Sequence, residues 1–225
     1  MPQPGYEQGL TDTTPLKNYI AELTAKLPGA TEGYIKDQLK IVISDFFRRS
    51  FAWRDIIGPK ILLAGTNSIS LQGLDPDYRV HSILDIFAGT RRLVPLGLDR
   101  RLFWNRSNAA HPMGYWTNPY DIVHFTVDEV TGADENVEDI KFICALAPIL
   151  DNDTVPTWLY DQFYEAIIFG VLSRCYMEPD KTYTSLTTGR TFRKTFLAEI
   201  QNAKTTADKN FTQSTPPWQY PPFAR

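Results

Sequence analysis

The chain has 225 residues, 43% apolar and 22% charged, with a formal net charge of −3. That balance fits a globular protein with a substantial core and excludes disorder throughout. No apolar run approaches the roughly 18 to 20 residues of a membrane-spanning helix, and residues 1–9 lack the basic and apolar regions of a signal peptide, so we expect a protein that neither spans a membrane nor is secreted. Four aromatic residues, Phe211, Trp218, Tyr220 and Phe223, fall in the last fifteen positions, where no helix or strand pattern buries them.

Residues 1–14, rich in Gly, Pro, Gln and Thr, read as an extended arm. After Pro15, Leu16, Tyr19, Ile20, Leu23 and Leu27 recur at helical spacing until Pro28-Gly29 ends the run. A second helix starts at Thr31 or Gly33. Its stripe is Ile35, Leu39, Val42, Phe46 and Arg49, with Ile43, Phe47 and Ser50 beside it, which makes a wide apolar face in need of a large packing partner. Trp53 and Ile56-Ile57 extend that surface, and Gly58-Pro59 is the expected stop, because proline lacks an amide hydrogen and restricts the residue before it.

From Lys60 to Ala147 the period changes to two. Short runs around Ile61, Ile69, Val80, Leu84, Ile122 and Phe142 are separated by turn-forming strings such as Gly65-Thr66-Asn67 and Gly132-Ala133-Asp134. We read five to six antiparallel strands with a short helical turn at Asp99 to Trp104, and no strand–helix alternation of the doubly wound kind. Helix returns after Pro148: an apolar helix over Trp158 to Tyr176, then one from Leu186 to Lys209 with Phe192, Phe196, Ile200, Ala203 and Ala207 on one face. Four prolines make residues 210–225 extended. The expected class is α+β: a helical bundle from both ends of the chain (15–58 and 149–209), an inserted antiparallel β domain (59–148), and extended arms at 1–14 and 210–225.

Chemistry is sparse. The chain has no phosphate-binding glycine loop, Gly-x-Ser-x-Gly elbow, Cys-x-x-Cys or His-Glu-x-x-His, so neither catalysis nor a cofactor is expected. A metal site of His81, His124 and Asp121 or Asp128 has no spacing signature, and His111 precedes a proline in a loop-like stretch. Cys144 and Cys175 sit in apolar runs and read as buried thiols rather than a disulfide. Asp151 and Asp153, just before a helix, read as caps in preference to a cation site.

Charge is uneven along the chain. Residues 121–161 carry ten acids against Lys141 alone, net −9, whereas residues 36–106 carry twelve bases against seven acids, net +5. The acidic candidates are Asp128, Glu129, Asp134, Glu135, Glu138 and Asp139. The basic ones are the pairs Arg48-Arg49, Arg91-Arg92 and Arg100-Arg101, whose guanidinium groups suit phosphate or, in the preferred reading, acids on this or another subunit.

A set of strings in order carries a resemblance: Leu27-Pro28-Gly29-Ala30; Ile35 through Asp45-Phe46-Phe47-Arg48-Arg49-Ser50-Phe51-Ala52-Trp53; Ala147-Pro148; Val155-Pro156-Thr157-Trp158-Leu159-Tyr160; Tyr164 through Arg174; and Met177-Glu178-Pro179-Asp180-Lys181. Together they resemble a family of tailed-bacteriophage head-to-tail connector (adaptor, neck) proteins over about 28–205, weakly in the β portion. Lys181-Thr182-Tyr183 departs from the Lys-Pro-Trp-like string of that family. The resemblance implies a non-catalytic virion protein at the head–tail junction. In it, a twelve-membered ring joins the portal protein to a tail tube, nozzle or tail-terminator protein, and double-stranded DNA passes through the channel.

Under that reading the acidic residues face the lumen or an intersubunit seam, where they do not retain DNA, and the arginine pairs meet a neighbour. The tail, with Phe211, Pro216, Pro217, Trp218, Tyr220 and Phe223, docks on the portal, because prolines lower the entropy lost on docking and aromatic side chains fill pockets. Two alternatives are a carbohydrate-binding or other β-type module using Trp104, Tyr115, Trp116 and Tyr120, and a metal-dependent hydrolase built on the histidines.

Overall fold

A computed structural model describes residues 12–73, 78–96, 112, 114–117, 122–126, 133 and 136–212. Its first element, β1 (Thr13–Pro15), leads directly into α1 (Lys17–Lys26), and Gly29 turns the chain, at φ 89°, toward α2 (Glu32–Ser50). The Thr31 side chain caps α2 by accepting from the Tyr34 amide at 3.4 Å, which satisfies one of the free amides of the first turn. As the spacing predicts, Leu16, Tyr19, Ile20, Leu23 and Leu27 are buried, and so are Ile35, Leu39, Val42, Ile43, Phe46 and Phe47. Arg49, by contrast, points to solvent.

α2 stops earlier than its apolar continuation predicts. Phe51 takes left-handed backbone angles (φ 48°, ψ 34°) and closes the helix by donating its amide to the Phe47 carbonyl at 3.1 Å. Trp53 follows as a linker, and Ile56-Ile57 and Gly58-Pro59 lie inside a strand, β2 (Arg54–Leu62), so the boundary expected at 58/59 falls mid-strand. The bulge there needs glycine: Gly58 has φ 131°, and a Cβ on it would meet the Ile140 carbonyl oxygen at 2.6 Å.

The remaining strands are β3 (Ser68–Ser70), β4 (Tyr78–Ala88), β5 (Arg91–Arg92), β6 (Val94–Pro95), β7 (Gly114–Thr117), β8 (Ile122–Phe125), β9 (Val137–Pro148) and β10 (Thr154–Pro156). They form a sheet of order β2-β9-β4-β5, a second of order β3-β8-β7-β6, and a ribbon of β1 with β10. The runs at Val80 and Leu84 belong to one strand, β4, whose register on β9 shifts twice. Among the described strands pairing is antiparallel except between β6 and β7, which run parallel, and the isolated bridge of Ala64 with Ala133 is parallel too, a correction to the all-antiparallel expectation. The helical turn expected at Asp99 to Trp104 lies outside the described residues.

The helices α3 (Thr157–Tyr176) and α4 (Leu186–Thr212) complete an α+β structure. Residues 13 and 14, expected in a free arm, are held in the ribbon: Thr13 pairs with Pro156 and Thr14 with Val155.

Two apolar clusters result. One joins α1, α2, α3 and α4; the other lies between the two larger sheets and contains Leu62, Ile86, Val123, Phe125, Ile140 and Phe142. Trp53 packs against both clusters, its ring 5.9 Å from Phe47, 6.2 Å from Trp158 and 5.5 Å from Tyr78. β9 also spans them, with Phe142 in the sheet cluster and Ala147 in the helical one. Cys144 and Cys175 are free and buried, and burial pushes their thiols up, to about 12 and about 11.

Gly170 sets the approach of three helices. A Cβ there would stand 2.4 Å from Val42 Cγ1 and 2.9 Å from Phe196 Cε2. Gly170→Ala is therefore expected to lower unfolding stability by about 1 to 3 kcal/mol through overpacking, despite the better helix propensity of alanine. Denaturant melts of the two proteins check this, and equal or greater stability of the variant contradicts it.

Candidate functional site

A cleft of about 660 Å³ opens where the helical cluster meets the end of β9. Its walls come from α2, the start of β4, the segment after β9, α3 and α4. Six cationic side chains line it: Lys40, Arg48, Arg49, Arg79, Arg174 and Arg193. Among the described residues, two acids do so, Asp45 and Asp151. The sixth cation, α4's Arg193, is exposed like Arg79 and Arg174.

Local contacts neutralise part of this charge. Arg48 and Arg49 occupy the last turn of α2, where cations complement the helix dipole, and both donate to Asp45 Oδ1 at 2.9 Å. Arg174 Nε donates to the neutral Gln38 Oε1 at 2.8 Å. Arg79 and Arg193 form no ion pair with another described residue. His81, in the same wall, stacks on Phe51 at 6.1 Å. Its partial burial lowers its pKa, so the imidazole is neutral at pH 7 and adds no charge.

The apolar lip of the cleft includes Ile41 and Leu197, 45% and 39% exposed. Ser173, at its base, is buried and donates to the Gly170 carbonyl at 2.7 Å. The chemistry on offer is recognition of anions: guanidinium forks match carboxylate or phosphate geometry in pairs.

Asp151 and Asp153 do not cap α3. Its N-cap is Pro156, with no side-chain hydrogen bond. Asp151 is exposed in the cleft wall, and Asp153 binds Lys36 and Lys40 across from α2, the latter at 2.8 Å. These two lysines hold the Asp153 carboxyl below its ordinary value.

The other arginine candidates lie elsewhere. Arg91 and Arg92 form β5, at the sheet edge, and Arg92 Nε donates to Asp85 Oδ1 at 2.6 Å. Arg100 and Arg101 lie outside the described residues. Among the acids, Glu138 and Asp139 open β9, with Asp139 paired to Lys141 at 2.9 Å. Asp128, Glu129, Asp134 and Glu135 lie outside the description, as do Pro216, Pro217, Trp218, Tyr220 and Phe223. Phe211 belongs to the last turn of α4.

The histidines are apart in the fold: His81 is on β4 and His124 on β8, where it stacks on its cross-strand partner Trp116 at 5.4 Å. Among the described residues no group of three His, Cys, Asp or Glu side chains could hold a metal, and no helix is long and apolar enough to cross a membrane. Tyr115, expected as an exposed platform, is buried in the sheet cluster, and Trp104 and Tyr120 lie outside the description. Lys40, Arg79, Arg174 and Arg193 were not singled out by the sequence, because each is brought in from a different element.

No protein-family model matches the chain, and neither does any curated protein.

The lowered Asp153 carboxyl sets a pH dependence. A group whose folded pKa is depressed stabilises the fold above its unfolded value, and that stabilisation is lost as pH falls through the folded one. Asp153→Asn is thus expected to melt at a slightly lower temperature at pH 7, with the gap closing below about pH 4. Melting curves at both ends of that range check it, and a gap that persists in acid contradicts it.

Proposed function

We propose that the chain is a structural virion protein: an adaptor subunit that assembles as a twelve-membered ring at the head–tail junction of a tailed bacteriophage. There it joins the portal to a tail tube, nozzle or tail-terminator protein and forms part of the channel for double-stranded DNA. The helices from both ends of the chain form the ring-building bundle, and the β excursion between them is an inserted domain. It acts by assembly, not catalysis.

One observation carries this reading. The strings that resemble the adaptor family are scattered over residues 27–181 in sequence, yet they converge on one place. Leu27, Ile35, Phe46, Phe47, Ala147, Val155, Leu159 and Ile167 all belong to the helical cluster, and Trp53 packs against it. A resemblance confined to chance local similarity has no reason to gather in one core. The resemblance is weak through the sheets, whose side chains form the second cluster.

Charge supports the same reading. The basic cleft lies at one end of β9 and the acids Glu138 and Asp139 at the other. A subunit with unlike faces can meet its neighbours head to tail, and such contacts close into rings when the rotation allows. In this reading the acids of residues 128–139 face a neighbour or the lumen. The β-module alternative loses support from the burial of Tyr115.

The portal contact is assigned to the aromatic, proline-rich end. A chain lacking residues 213–225 is expected to keep its circular dichroism spectrum and melting temperature while losing capture by the portal protein in a pull-down. Undiminished capture refutes the assignment.

A further inference from the structure

We infer that the cleft at the end of β9 receives the acidic run of a second copy of this chain, residues 128–139. This rests on the ring reading above and names the site through which neighbouring subunits hold one another.

The charges match. Among the described residues the cleft presents six cations, three of them already paired with Asp45 or Asp153, against two acids with a neutral histidine, and residues 128–139 hold six acids and no base. Attraction of this kind steers docking and fixes register, and bidentate guanidinium–carboxylate pairs give it direction. Arg79 and Arg193, unpaired with any other described residue, are the groups with most to gain from an incoming carboxylate.

The contact must come from another molecule. Glu138 and Ala147 lie on the same strand, and Ala147 lines the cleft, so roughly 30 Å of extended chain at about 3.3 Å per residue separates them. The stretch ahead of Glu138 is tied to that far end too: the Ala133 amide donates to the Thr66 carbonyl at 3.0 Å, and Asn136 Oδ1 accepts from the Ala64 amide at 2.9 Å. Ala64 and Thr66 follow the end of β2 that pairs with Val137.

Polarity of the cleft favours a peptide over DNA. Asp45 and Asp151 stand among the cations and repel a continuous phosphate backbone, whereas spaced carboxylates fit between them. Exposed Ile41 and Leu197 on the lip suit an apolar neighbour, and Val127 and Val130 flank the first two acids of the run.

A fluorescent peptide of residues 127–140 is titrated into the full chain and into the double variant Arg79→Glu, Arg193→Glu, with a short DNA duplex as competitor. Both substituted residues are exposed, and circular dichroism checks that the fold is kept. Binding to the wild-type chain is expected to fall with added salt, and the double variant to bind roughly tenfold or more weakly, since each reversal replaces an attraction with a repulsion. Equal binding by the two proteins, or preference of the cleft for the duplex, overturns the inference.

Native mass measurement gives the second readout. The cleft variant and an Asp134→Lys, Glu135→Lys variant each fail to assemble alone and assemble when mixed, because each then supplies the other's complement. Rings that form in spite of either reversal overturn the cleft assignment and leave the ring reading standing. A wild-type chain that binds the peptide and associates through the cleft only into dimers or open chains supports the cleft and ends the ring reading, and one that stays monomeric overturns the cleft assignment as well.

Discussion

β9 is the member on which both halves of the protein depend. Its first residues close the sheet cluster, its last ones enter the helical cluster, and it pairs with β2 on one side and β4 on the other. Trp53 fixes the same junction from the other chain direction: its carbonyl accepts from the Leu146 amide at 2.8 Å while its ring lies among Phe47, Trp158 and Tyr78. α4 adds a clamp, with Asp208 bound to Arg54 and Lys204 over the Phe51 ring at 5.7 Å. A rotation of the sheets against the helices would break all of these at once, so the cleft beside the junction has a fixed shape.

That rigidity matters for recognition by charge. Exposed ion pairs contribute little individually, because each side chain loses freedom and water competes. Several cations held by a rigid frame do better, since the ordering cost is met in folding. The frame here keeps the cleft cations about a strand's length from Glu138 and Asp139, which gives the subunit a direction.

The helical part of the fold was legible because its signals are local. Thr31 as a cap, Pro28-Gly29 as a break and the stripe from Ile35 to Phe47 all depend on neighbours within a few turns. The end of α2 was not legible, because the apolar residues Trp53, Ile56 and Ile57 continue in sequence while Phe51 turns left-handed, a conformation that phenylalanine rarely adopts. The parallel pair of β6 and β7 was hidden for another reason: two residues of strand leave no period to read. Asp153 looks like a cap by position, but its partners Lys36 and Lys40 are more than a hundred residues away in sequence. Of the cleft cations, only Arg48-Arg49 announced itself, as a charged pair. Lys40, Arg79, Arg174 and Arg193 become a site only when α2, β4, α3 and α4 are folded together.

The central claim is that this chain is one part of a closed assembly. Native mass measurement of the full-length protein across a range of concentration and salt tests it most directly. A closed ring at twelve times the chain mass is the result the proposed adaptor role predicts, and its dissociation as salt rises is the result the charge polarity predicts. A monomer at every concentration, alone and in the presence of a portal, contradicts it.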